Sequence, residues 1–150
     1  MPKKQILDLA LSTQIKVEYA ADIPEEVRGA IDMTLKPLYQ FLPGWIHCLY
    51  IMWSPSRNGE AAEVLTNWQY RDARITITEL WMLLGRADRR TTMVHEIMHM
   101  YTAPLADYVI EIMDKVLGDD KRLLDIVHTE MTTRNEIATQ ELTRAFNRYV

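Results

Sequence analysis

The chain has one cysteine, Cys48, so it forms no internal disulfide and offers no thiolate cluster for a metal. Glycine and proline are sparse, at five and six of 150 residues, which excludes fibrous and low-complexity classes. No run approaches the roughly 20 apolar residues that a bilayer span needs. Positive charge is not in excess either: 17 Lys and Arg face 21 Asp and Glu, a net charge of −4. That balance points away from nucleic acid and membrane surfaces as partners. What remains is 48% apolar and 25% charged, the usual proportion for a globular domain. The length suits one domain with a single core. Lys3 and Lys4 precede Ile6, Leu7, Leu9, Ala10 and Leu11 in the manner of a short signal peptide. Asp8 interrupts that run and no clear cleavage site follows, so the expected location is cytoplasmic.

Residues 14–19 alternate, with Ile15, Val17 and Tyr19 on one side, and this period of two predicts a strand. Asp22 opens a predicted helix, with Pro24 in its first turn and Glu25 as a capping-box partner. Val27, Ile31, Leu35, Leu38 and Leu42 carry it to about Phe41, with a kink at Pro37 and an end at Pro43 and Gly44. Residues 45–53 (WIHCLYIMW) read as a buried strand in which His47 is a satisfied interior histidine. Residues 54–60 read as a loop. Residues 67–78 read as one long strand, clearest from Arg74 to Thr78. From Asp88 on, every segment is helical: 88–101, stopping before Pro104; 105–117, closed by Gly118; and 119 or 120 to about Asn147. Strands first and helices afterward predict an α+β domain.

Chemistry concentrates at His95, Glu96, Ile97, Met98 and His99, which spell H-E-x-x-H inside a predicted helix. Histidines four apart project from one face about a turn apart, so both imidazoles reach one metal ion. Glu96, beside the first, is placed to take a proton from a water activated by zinc. A chance match in a chain of this length has a probability on the order of half a per cent, so the motif counts as a signal.

A catalytic zinc takes a third protein ligand and keeps one position open. Thr102 and Leu105 stand where a metzincin extension places Gly and His, so the third ligand comes from further along. Asp107, Glu111, Asp114, Asp125, His128, Glu130, Glu136 and Glu141 are the candidates. On a helical wheel the last segment shows three faces. Leu124, Val127, Met131, Ala138, Leu142, Ala145 and Tyr149 form a predicted core face. Glu130, Arg134, Glu141, Arg144 and Arg148 form a charged one. Thr132, Glu136, Thr139, Gln140 and Thr143 form the third, where small neutral groups around one carboxylate suit a cleft wall. This favours Glu136 over Glu130 and Glu141.

His95–His99 followed by Asn135, Glu136, Ile137, Ala138, Thr139 and Gln140 resembles the gluzincin type of zinc metallopeptidase, which pairs H-E-x-x-H with a downstream N-E-x-x-S-D helix. Asn135 and Glu136 match, Thr139 stands in for Ser, and Gln140 replaces an Asp that accepts a hydrogen bond from a ligand histidine. The two segments are also similar to small phage-associated zincin-like proteins. The resemblance covers about a third of the chain. It implies a zincin-like fold, a zinc held by His95, His99 and Glu136, and Glu96 as general base in peptide hydrolysis. It further implies a sheet edge beside the active-site helix, where a peptide or protein substrate adds by main-chain hydrogen bonds; the strand around Arg74–Thr78 reads equally as that edge or as interior sheet. Tyr101, Tyr108 and His128 are the candidates for stabilising the transition state. The substrate's identity and the oligomeric state are not legible.

Two other readings compete. Glu96 with His99 and Asp125 with His128 form E-x-x-H and D-x-x-H pairs, as in di-iron carboxylate bundles. A zinc-stabilised interaction protein without turnover is the other, with Arg86, Arg89 and Arg90 as a contact for an acidic partner. Trp45, Trp53, Trp68, Trp81 and the methionines at 93, 98 and 100 read as core.

Overall fold

The computed structural model describes residues 15–150. The 6–11 apolar run and Gln14 lie outside the described residues. Strands β1 (Lys16–Tyr19), β2 (Cys48–Ser54), β3 (Ala62–Asn67) and β4 (Asp72–Thr78) form one sheet in the order β1-β2-β4-β3. β1, β2 and β4 run parallel, and β3 pairs antiparallel with β4. The helices are α1 (Glu25–Leu35), α2 (Glu79–Leu83), α3 (Arg86–Leu117) and α4 (Lys121–Tyr149), with a 3-10 segment at Lys36–Phe41. The architecture is α+β, with a mixed four-stranded sheet.

Alternation along the strands decides which face is covered. Leu49 and Ile51 on β2 and Ala73, Ile75 and Ile77 on β4 are fully buried, while Tyr50 and Arg74 between them are exposed. Val27, Ala30, Ile31 and Leu35 of α1 and Met93, Val94, Ile97 and Met100 of α3 cover that inner face. One side of α3 is therefore pinned to the sheet, and its other flank is left for α4.

Several expectations are corrected. The strand expected over 67–78 starts only at Asp72: Trp68–Arg71 turns the chain between β3 and β4, and Arg71 adopts φ 58°. This left-handed backbone is uncommon for a residue with a Cβ. It is held by its own contacts, since Arg71 donates through Nε to the Trp45 carbonyl at 2.9 Å and its carbonyl accepts the His47 N–H at 2.7 Å. The 74–78 strand is consequently interior, and β3 is the edge on that side of the sheet, with β1 at the other. β2 begins at Cys48 instead of Trp45, which leaves His47 exposed, and Trp68 sits half-exposed in the turn. The Asp22–Glu25 capping box does not form; Pro24 is the N-cap, without a side-chain hydrogen bond. From Lys36 onward the expected continuation of α1 tightens into the 3-10 segment, with Pro37 near its start.

Pro104 does not divide the helices: α3 runs unbroken through it for 32 residues. Proline lacks the N–H that the carbonyl four residues back needs, so Met100 loses its helical donor. The Trp45 indole supplies one, donating from Nε1 to the Met100 oxygen at 3.0 Å. Replacing Trp45 with Phe keeps the ring and strands that carbonyl, so urea unfolding should show a loss of about 1–3 kcal/mol. In a Pro104→Ala background the backbone N–H returns, and the same Trp45 change should cost clearly less.

The face of α4 that packs is not the apolar arc. Leu124, Val127 and Met131 are half-buried as expected, but further on Thr139 and Thr143 are buried while Tyr149 is 80% exposed. Small hydroxyl side chains let the two helices approach closely. Their burial costs little because Thr139 and Thr143 donate to the carbonyls of Asn135 and Thr139, both at 2.8 Å.

Candidate metal centre

The α3–α4 pairing brings three of the predicted side chains to one point. His95 and His99 project from α3 a turn apart, and Glu136 of α4 reaches across. The two imidazole Nε2 atoms are 3.1 Å apart, and the Glu136 oxygens lie 3.3 Å from His95 Nε2 and 3.2 Å from His99 Nε2. Four ligands about 2.0–2.1 Å from a tetrahedral zinc stand about 3.3–3.4 Å from one another. The two nitrogens and the two Glu136 oxygens, one facing each ring, stand at about the spacing of such ligands. Nitrogen and carboxylate oxygen are donors that zinc accepts. Among the described residues this is the one His/Cys/Asp/Glu group of three close enough to share an ion. The Glu136 side chain is 44% exposed, so the centre opens to solvent.

Thr139 sets the orientation of His99. Its hydroxyl donates to the Asn135 carbonyl, so its lone pairs are left to accept, and His99 Nδ1 lies 3.1 Å away. With Nδ1 carrying the proton, Nε2 presents its lone pair to the centre. Thr102 completes the group, its hydroxyl 2.9 Å from that of Thr139. Gln140 does not take the role of the family's Asp. Its amide donates to Glu136 Oε1 at 3.0 Å and so steadies the carboxylate instead of a histidine. By resemblance Thr139 is only a stand-in for Ser; its spacing on the Glu136 face, three residues on, is the signal for its part. Thr139→Val keeps the shape and removes the acceptor. We expect it to weaken zinc binding about 10–100-fold, while Thr139→Ser retains affinity, as read by competition with a chromogenic chelator.

Glu96 is 4% exposed, and its carboxylate accepts the Val64 backbone N–H. Val64 belongs to β3, so the edge strand and the metal-facing helix are tied together at this carboxylate. Burial pushes Glu96 up to about 8, the negative charges of Glu60 and Glu136 push the same way, and the Val64 N–H acts against them. Burial also holds the His99 imidazole below its usual range, and His95 adds to this, while Glu136 opposes both.

The remaining candidates lie elsewhere. Tyr101 donates its hydroxyl to the Phe41 carbonyl at 2.7 Å. Tyr108 is exposed, nine residues past His99 and about 13 Å further along the helix. His128 pairs with Asp114 at 3.0 Å, about 22 Å beyond His99 along α3. None of the three stands at the centre, and Asp125 and His128 supply no second metal group. Glu141 turns to Arg144, and Glu130 to Arg134. In the arginine cluster Arg86 is exposed, while Arg89 and Arg90 are half-buried and spend donors within the fold. Arg89 donates to the carbonyls of Trp81 and Met82, and Arg90 donates to Asn147 at 2.7 Å.

No known family model, curated protein or solved structure matches the chain.

Proposed function

We propose that the protein is a zinc-dependent peptidase with a zincin-like domain of gluzincin type. The observation that carries this reading is the triangle of His95, His99 and Glu136, closed to within 3.1–3.3 Å, with a buried Glu96 beside its first member. Bound zinc supplies Lewis acidity, which lowers the pKa of water and polarises a carbonyl. His95, His99 and Glu136 hold the ion. Glu96 takes the proton of the attacking water and returns it to the leaving amine. A positive charge at the triangle counteracts the burial of Glu96 and favours its carboxylate form. An extended peptide adding to β3 lies beside Glu96, because Val64 of that edge is what Glu96 grips.

The test is metal content and turnover measured together. Wild type should retain one zinc per chain after dialysis and cleave a mixture of unblocked peptides. Glu136→Ala should lose the metal, and Glu141→Ala should keep it. Loss of zinc only in Glu141→Ala, or one firmly held zinc with no cleavage of any peptide, overturns the reading.

A further inference from the structure

Next to the triangle, α3 and α4 enclose a groove that the hydrolytic step does not use. It has a volume of 340 Å³ and is lined by Thr91, Thr92, His95, Gln140, Thr143 and Arg144. That volume is near the lower end for ligand pockets and suits one terminal residue of a chain. Two of its walls are the metal centre itself: His95 is a corner of the triangle, and Gln140 holds Glu136. The other walls are hydroxyl-bearing, apart from the guanidinium of Arg144. Among the described residues Arg144 pairs with Glu141 alone, three residues back on the exposed surface, with both side chains about two-thirds in solvent. Such a pair contributes little and is readily exchanged for a better carboxylate.

We infer that this groove is a carboxylate subsite, in which Arg144 binds the terminal α-carboxylate of a peptide and so directs cleavage to its last bond. The inference rests on the peptidase reading and narrows it to release of single C-terminal residues. Arg144 is eight residues beyond Glu136, about 12 Å along α4. Helical side chains lean toward the N-terminus, and the guanidinium does so, turning back to Glu141 on the rim of the groove that His95 also lines. An extended arginine recovers about half of that distance. What remains, about 6 Å, spans one residue step of about 3.8 Å and the contact of a guanidinium–carboxylate pair. The opposite flank repels a carboxylate, because Glu60 and Glu63 stand near enough to Glu96 to act on its charge. A peptide is thereby oriented, with its carboxylate toward α4 and the preceding chain toward β3.

The test compares three peptides of one sequence on the zinc-loaded full chain: free acid, C-terminal amide, and an amide with Glu placed after the scissile bond. The free acid should be cleaved about 10–100-fold better in kcat/KM than the plain amide. Arg144→Ala should bring the free acid down to the rate of the amide and keep the zinc; Arg144→Lys should restore part of the advantage. Equal cleavage of acid and amide, or an equal loss for both in Arg144→Ala, overturns the subsite and leaves the peptidase reading intact. Preference for the Glu-bearing amide over the free acid shows a side-chain carboxylate as the occupant, and it too overturns terminal recognition. If nothing is cleaved, the peptidase reading fails. The subsite is then read by calorimetry on zinc-loaded Glu96→Gln, where equal binding of acid and amide overturns it as well.

Discussion

Glu96→Gln should keep its zinc and lower peptide turnover by about 10²–10⁴-fold, the range over which a positioned general base contributes. The substitution is chosen for its shape. Gln reproduces the outline of the carboxyl group, and its amide oxygen can still accept the Val64 N–H that holds Glu96 against β3. Glu96 is not a corner of the His95–His99–Glu136 triangle, so affinity for the ion should be preserved. What Gln lacks is a basic oxygen to receive a proton at neutral pH. The loss should therefore fall on kcat with little change in KM. Zinc content by mass spectrometry and kcat on one peptide are the two measurements. A zinc-stabilised protein that works by docking a partner gives a different outcome: unchanged metal, unchanged partner binding, and no turnover to lose.

The site was legible where its chemistry is local. Histidines four apart on a helix present both rings on one face whatever the tertiary fold, so the sequence alone brought His95 and His99 together. Glu136 was reached by composition, since small neutral neighbours marked its face of α4. That same face also packs against α3, and the apolar arc through Leu142 and Tyr149 is left outside. Polarity misled there because Thr139 and Thr143 satisfy their hydroxyls within their own helix and can be buried at little cost. The Pro104 break failed for a related reason. The rule counts a lost backbone bond, and the replacement donor, Trp45, comes from 55 residues away. The turn at 68–71 was missed because it carries no glycine. Arg71 adopts the left-handed backbone and is held by contacts to the 44–48 segment that no local pattern reveals. The long-range consequence is that β3, and not β4, is the edge that lies beside Glu96.

Stripped of metal, the protein should become less stable as pH rises from about 6.5 to 8. Glu96 is pushed from its ordinary 4.5 up to about 8 in the fold, chiefly by burial. A group with a raised folded pKa binds its proton more tightly in the native state than in the unfolded chain. Its contribution is fully present below 4.5 and is lost as pH climbs through the folded value. His99 works in the opposite direction. Its folded pKa is lowered from 6.5, so unfolding takes up a proton below that pH and stability rises as pH approaches 6.5 from the acid side. The two effects partly offset each other on the acid side, and above 6.5 the Glu96 loss stands alone. Its full size is on the order of a few kcal/mol. Chemical denaturation of chelator-treated protein at a series of pH values measures it. Glu96→Gln, neutral at every pH, should flatten the fall between 6.5 and 8 and leave the acid limb in place. A slope that persists in Glu96→Gln places the titrating group elsewhere and removes Glu96 as the buried acid. Zinc should also flatten the slope in wild type, because a cation at the triangle stabilises the Glu96 carboxylate that burial disfavours.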